Sequence, residues 1–260
     1  MAAQVLGSVK KALQILSLFA EGKPEWTVTD IAKALNLQKS TVCRLLSTME
    51  TEGFIRKSDE GRGYCLGLKL FELGSVVLQN LDLRNVAMPY INRLSELTGE
   101  TVHLGILSND QVLSIESHGS RYSLKPVIMI GRSAPLYCTG VGKALLAFQP
   151  PEVIESFLTR VKLERQTPNT ITDKDRLLAE LEAIRSQGYA LDNMENELGV
   201  RCVAAPIFDY SGRVVASMSI SGPSIRITEE RIPELAEQIK ATTREISRRL
   251  GAPNHNGQNA

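Results

Sequence analysis

Apolar residues recur at three- and four-residue intervals through the first eighty positions. In SVKKALQILSLFAEG, the positions Val9, Ala12, Leu13, Leu16, Phe19 and Ala20 predict an amphipathic helix that packs by those side chains, with Gly22 as its stop. TVTDIAKALN predicts a second helix with Thr27 as N-cap and Asp30 three residues on. Its buried stripe is Val28, Ile31, Ala32 and Leu35, and Asn36 suits a left-handed end. Residues 36–38 alone separate it from a third helix in QKSTVCRLLSTMETEGFI. There Val42, Leu45, Leu46 and Met49 fall at i, i+3, i+4 and i+7. Ser40, Thr41, Arg44 and Thr48 take the opposite side, with Cys43 at the border and Gly53 at the end. Two short helices joined so tightly predict a helix-turn-helix. FIRK and YCL then read as short strands connected by SDEGRG, a hairpin wing with Arg62 at its tip.

Residues 68–80, LKLFELGSVVLQN, are apolar around more than one side: Leu68, Leu70, Phe71, Leu73, Val76, Val77 and Leu78. A helix of this kind must be covered. The expected cover is its own domain together with a second subunit in a two-fold dimer; the alternative is burial wholly within one chain.

Beyond residue 82 the pattern becomes mixed. LRNVAMPYINRLSELTG is helical, and TVHLGIL and QVLSIES alternate as strands around Ser108-Asn109-Asp110. A further strand is expected near LKPVIMI. TGVGKALLAF starts a helix, two more occupy roughly 150–160 and 173–187, and Gly188 ends the latter. YALDN, VRCVAAPIF and RVVASMSIS are strands, and residues 228–250 form a long closing helix on Ile232, Leu235, Ile239, Ile246 and Leu250. The fold class is α+β, an antiparallel sheet covered by helices. The expected division is residues 1–67, a linker at 68–81, a second domain at 82–251, and a polar, disordered tail at 252–260.

Composition narrows the classes. The chain has 260 residues, 43% hydrophobic and 23% charged, which fits neither disorder nor a membrane protein. No apolar run nears the roughly 20 residues of a membrane span, and the start lacks the order of a secretory leader. Cys43, Cys65, Cys138 and Cys202 have no CxxC spacing, which argues against a disulfide framework or zinc ribbon and suits the cytoplasm. The formal charge is only +1. Residues 1–67 carry 9 Lys/Arg against 7 Asp/Glu, leaving 21 against 22 elsewhere. Charge total therefore does not identify a nucleic-acid partner; a shared basic face would.

The candidate DNA-contacting residues are Gln38, Lys39, Ser40, Thr41, Cys43, Arg44, Thr48 and Arg62. Arg can hold guanine by two hydrogen bonds, while hydroxyls and the free N–H groups of a helix start hold phosphate. In RVVASMSISG, alternation places Ser217, Ser219 and Ser221 on one face and Ala216, Met218 and Ile220 on the other. A row of small hydroxyls suits a cavity wall as well as solvent. Cys202 and Ala204 share a face across the hairpin. The glycines of CTGVGKA precede a helix whose first N–H groups can hold a carboxylate. DNMENE reads as a solvated acidic loop, with Asp192 as a possible cavity group. His103, within a strand, reads as a satisfied, partly buried imidazole. A nucleophile–base pair of Cys202 or Cys138 with His103 or His118 has no local signature, and no metal-ligand spacing occurs, so no cofactor or metal is expected.

Taken together, KALQILSLFAEG, LQKSTVCRLLSTMETEGFI, YCLGLKLFELG, APLYCTGVGKALLAF, TITDKDRLLAELEAIRSQGYALDNMENELGVRCVAAPIFD and SISGPSIRITEERIPEL resemble the IclR-type transcriptional regulators from about residue 8 to 250. The region from ETVHLGIL to GRSAPLYCTGVGK is similar to the subgroup that controls sugar-acid breakdown. The resemblance implies a winged helix-turn-helix on palindromic operator DNA, a GAF-like domain that senses a small carboxylic or sugar acid, and a homodimer or homotetramer. It implies a repressor of a catabolic operon, the alternative being an activator of the same build. It also implies effector contacts at Gly140, Val141, Asp192, Val200, Cys202, Ser219 and Ser221. Two departures stand out. Cys43 occupies a place where members often carry His or Tyr, and SHGSRYSLKPVIMIG is not strongly shared, which leaves the effector open. The rival reading, an enzyme with Cys202 as nucleophile, requires a lowered thiol pKa.

Overall fold

The computed structural model describes residues 6–19, 23–59, 61–79 and 82–253. Ala20, Gly22 and most of the tail lie outside these residues, as do the side chains of Val77 and Leu78. The chain forms two compact units, Met1–Leu81 and Asp82–Ala260.

The first unit contains α1 (Gly7–Leu18), α2 (Val28–Ala34), α3 (Lys39–Thr51), β1 (Ile55–Lys57), β2 (Tyr64–Leu66) and α4 (Leu68–Gln79). Thr27 caps α2 by accepting from the Asp30 N–H at 3.2 Å. Asn36 takes φ +51° in the turn, and Gly53 takes φ +77° just past α3. β1 and β2 pair antiparallel, and Trp26 adds a bridge to Tyr64. One core binds the helices through Ile15, Leu18, Phe19, Ile31, Val42, Leu46, Met49 and Ile55. Full burial of each aliphatic chain is worth about 1.5–3 kcal/mol.

Two expectations change in this unit. α1 packs by Ile15, Leu18 and Phe19, while Val9 and Leu13 are exposed. Ala12 and Leu16 of the expected stripe pack partly against the same core, and Val9 is left out because the core meets mainly the C-terminal half of α1. On α4, Leu68, Phe71, Leu73 and Val76 are exposed, so their own unit does not bury them.

The second unit is built on a six-stranded antiparallel sheet in the order β5-β4-β3-β8-β7-β6. Its strands are β3 (Thr101–Ser108), β4 (Gln111–His118), β5 (Ser133–Pro135), β6 (Ala190–Asn193), β7 (Val200–Phe208) and β8 (Val214–Pro223). Asn109 and Asp110, at φ +49° and +61°, make the tight β3–β4 turn. The period of two divides the sheet cleanly. Val102, Leu104, Val203, Ala205, Ile207, Ala216, Met218 and Ile220 face a core shared with α5 (Asp82–Thr98) and α9 (Ile232–Arg249). The opposite face meets α6 (Gly140–Ala147), and α7 (Pro151–Arg160) and α8 (Lys174–Gln187) complete that second core.

The strand expected at LKPVIMI does not form. Residues 124–130 make no ladder, and Leu124, Val127, Met129 and Ile130 are exposed. Pro126 has no N–H to give a neighbour. The edge of β4 is instead taken by β5, with Gln111, Val112 and Leu113 opposite Pro135, Ala134 and Ser133. The closing helix begins with a 3-10 turn at Glu229–Arg231, and Pro233 falls in the first turn of α9.

Candidate functional site

Each unit has its own site. In the first, Val42, Leu46 and Met49 lock α3 onto the core. The same helical period turns Ser40, Cys43, Arg44, Ser47 and Thr48 to solvent, leaving Thr41 half-buried. Cys43 therefore lies on the exposed face beside Arg44. Ser47 belongs there too, which the sequence reading missed although it stands three residues from Arg44. Gln38 is the N-cap residue but makes no side-chain cap, and no acidic residue occupies the first turn. The Thr41 and Val42 N–H groups close on Gln38 O, so the positive end of the helix carries the free N–H groups of Lys39 and Ser40. The Thr48 hydroxyl donates back to Arg44 O at 3.0 Å, leaving its oxygen to accept.

The wing is braced from beneath. Ser58 Oγ donates to Glu25 Oε1 at 2.7 Å and accepts from the Gly63 N–H. A Cβ at Gly63 would come within 2.5 Å of that carboxylate, so a larger residue would push the Glu25 side chain off Ser58. Arg62 stands exposed at the tip.

In the second unit, cross-strand register brings the expected pocket residues together. Asp192 pairs with Cys202, Cys202 with Ser221 and Ser221 with Thr101; Ala204 pairs with Ser219 and Ser219 with His103. All lie on the α6 side of the sheet. Thr139 caps α6 by accepting from the Gly142 N–H at 3.1 Å. Gly140 rests on β7, where a Cβ would stand 3.3 Å from Ala204 Cβ and 3.4 Å from Cys202 Cβ. The first turn of α6 thus sits over a floor of small residues, with the Gly140 and Val141 N–H groups outside its ladder. Ser219 and Ser221 share a hydrogen bond of 3.1 Å and are almost wholly buried. Ser217 instead donates to Ala205 O, which removes it from the pocket. Val200, half-buried, stands at the start of β7 on the Cys202 face.

Lys143 is the residue the sequence reading missed. It is completely buried, with Nζ 2.9 Å from Glu180 Oε1 and 2.5 Å from Glu195 Oε1. Its signal was present: one lysine in an otherwise apolar helix start, GVGKALLAF. DNMENE is correspondingly not a solvated loop. Asp192 and Glu195 are buried, because β6 ends inside the α6–α8 layer and Asp192 Oδ1 accepts from the Glu195 N–H at 2.8 Å.

Burial governs the charges here. It pushes Asp192 up to about 7, against the Glu195 N–H that favours the carboxylate. Burial likewise raises Glu195, with Lys143 opposing it. Burial also disfavours charged Lys143, yet Glu195 and Glu180 outweigh it and hold the ammonium above its usual range. At 2.5 Å Lys143 and Glu195 form an ion pair near neutral pH. Cys138 is raised to about 12 by burial and by the charges of Asp192 and Glu195. Cys202 is pushed higher still by burial and Asp192, opposite to what a nucleophilic thiol requires.

The comparisons with known proteins match both units. A model of the IclR helix-turn-helix domain matches residues 8–59, and one of the bacterial transcriptional regulator IclR C-terminal domain matches residues 75–248. The chain belongs to the IclR family of bacterial transcriptional regulators. It is 42% identical to the HTH-type transcriptional regulator KdgR of Escherichia coli over 246 residues, 95% of this chain and 93% of that one. It is 34% identical to the HTH-type transcriptional repressor AllR of Escherichia coli over 248 residues, 95% of this chain and 92% of that one. Among solved structures it resembles an IclR homolog of Microbacterium hydrocarbonoxydans complexed with 4-hydroxybenzoate. That match has a TM-score of 0.79 and 26% identity, covering 94% of this chain and all of that one. As an IclR regulator the chain is a DNA-binding transcription factor with a ligand-binding C-terminal domain.

Proposed function

We propose that this IclR regulator is a repressor that docks α3 on operator DNA and releases it when a small carboxylic or sugar acid occupies the pocket at the start of α6. The observation that carries this reading is the Gly140–Cys202 approach, which sets free helix N–H groups over β7, one strand from the Ser219–Ser221 hydroxyls. Those donors suit a carboxylate, and Asp192, Val200 and Cys202 close the floor beside it. The similarity to the repressor AllR and to a regulator complexed with an aromatic acid supports the same reading.

On the DNA, Gln38, Lys39, Ser40 and Thr41 face phosphate at the positive end of α3. Arg44, Cys43 and Thr48 face base edges, and Arg62 reaches the backbone from the wing. Docking of two copies in successive major grooves supplies what a nearly neutral chain lacks in general phosphate attraction. The exposed Leu68, Phe71, Leu73 and Val76 of the 68–81 linker fit a two-fold partner, hence a palindromic site and a dimer or dimer of dimers. Residues 1–67 then form the reading domain and 82–251 the sensing domain. Four free thiols and the absence, among the described residues, of a helix able to cross a membrane fit a cytoplasmic protein.

The test is fluorescence anisotropy on DNA from the promoters flanking the gene, titrated with carboxylic and sugar acids. Specific binding that an acid relieves, and that the pocket variants no longer relieve, is the expected result. Specific binding unaffected by any acid would leave the second domain an assembly module.

A further inference from the structure

We propose that His103 is a second anchor of this pocket, holding a hydroxyl or carbonyl at the far end of the effector, so that multi-carbon hydroxy and sugar acids are preferred over three-carbon acids. The inference rests on the α6 start as the seat of the carboxylate. His103 lies directly across from Ser219, on the face opposite the Val102 and Leu104 core. Two residues along β3, Gly105 passes beneath α6, where a Cβ would come within 2.9 Å of Val141 Cγ1. His103 therefore stands just beyond the first turn of α6, on the floor that carries Ser219 and Ser221.

Its nitrogens are unequally used. Nε2 lies 2.9 Å from Ser114 Oγ, whereas Nδ1 has no protein partner among the described residues, although the residue is only 7% exposed. Burial keeps the ring neutral by lowering its pKa to about 4. A neutral imidazole has one N–H and one lone pair, so with Ser114 taking one, the other remains for a hydroxyl or carbonyl. From β7, under Gly140, to β3 is two strand spacings, about 10 Å. The imidazole's own length narrows that gap to a few carbon–carbon bonds. An acid of two or three carbons held at α6 stops short of Nδ1, and an open chain of five or six carbons reaches it.

Asparagine and glutamine separate the two nitrogens. His103→Gln keeps an amide where Nε2 meets Ser114 but nothing at the Nδ1 position; His103→Asn does the reverse. The full-length protein is titrated by calorimetry and thermal shift with D-gluconate, D-glucuronate and D-galacturonate, and with pyruvate and L-lactate as short probes. At least one six-carbon acid is expected to bind the wild type more tightly than either short acid. His103→Gln should lose about tenfold of that affinity, the worth of one buried hydrogen bond, while short-acid binding is unchanged. His103→Asn should retain most of it. Equal affinity in wild type and His103→Gln, or an equal loss for long and short acids, overturns the assignment and leaves the pocket standing. Tighter binding of the short acids overturns the length preference. If neither class binds the wild type, the α6 pocket itself is misassigned and His103 falls with it.

Discussion

Lys143 Nζ, with no exposed surface, lies 2.5 Å from Glu195 Oε1, and Glu195 offers its backbone N–H to Asp192 Oδ1. One lysine thus ties the helix that begins the pocket to the loop that carries its buried carboxyl. Breaking a buried pair by removing one partner typically costs about 3–5 kcal/mol, because the other charge is left uncompensated. Lys143→Met is expected to lower stability by about that much in urea unfolding. Adding Glu195→Gln should recover part of the loss. If Lys143→Met proves neutral, the pair does not hold the pocket together.

Asp192 carries a pH signature. Its folded pKa of about 7 lies above the ordinary 3.8, so its contribution to stability is present below 3.8 and is lost as the pH rises towards 7. Asp192→Asn keeps an acceptor for the Glu195 N–H and removes the titration. The variant should match the wild type near pH 4 and exceed it above pH 7 by up to about 4 kcal/mol. Thermal melts across that range check this. Carboxylate effectors should also bind the wild type more tightly at pH 6 than at pH 8, and this difference should shrink in the variant.

The pocket floor is tested by changing both Ser219 and Ser221 to Ala. Removal of both members of a mutual hydrogen bond leaves no orphaned partner between them, so folding should change little. Effector-driven release from DNA should fall about tenfold or more, with DNA affinity intact. Normal release by the same acid would show that the effector sits elsewhere.

On the DNA side, Arg44→Ala and Arg62→Ala should differ in kind. Loss of Arg44 should cost about 1–3 kcal/mol on the specific site and relax base preference at one position in each half-site. Loss of Arg62 should weaken specific and non-specific DNA alike and reduce the salt slope by about 1 per site. A salt titration of both variants separates the roles, and an Arg44→Ala protein with wild-type specificity would falsify the assignment of α3.

The winged helix was legible residue by residue because its signals are local. A cap at Thr27, a left-handed Asn36 and a stripe at Val42, Leu46 and Met49 each act over one or two turns of helix. The alternation that separated Ser219 and Ser221 from Met218 and Ile220 was likewise in the chain. LKPVIMI misled because strand-like composition says nothing about whether an edge is free to pair, and β5 takes the edge of β4 instead. α1 misled at Val9, Leu13 and Ile15, because which part of an amphipathic helix is covered depends on where its neighbours lie.

Local pattern alone assigned the helix-turn-helix, the wing, the antiparallel strands and the small-residue floor, since each follows from backbone periodicity and steric size. The burial of Lys143, Glu195 and Asp192, and the placing of His103 across from Ser219, depended on the tertiary fold. Lys143 and Glu195 stand 52 positions apart, and His103 and Ser219 stand 116 apart; they are joined only when β3, β8, β7 and β6 align under α6. Charge and hydrogen-bonding capacity are written in the side chain. Whether that capacity is spent on water, on a protein partner or on a ligand is settled by what the packed chain leaves around it.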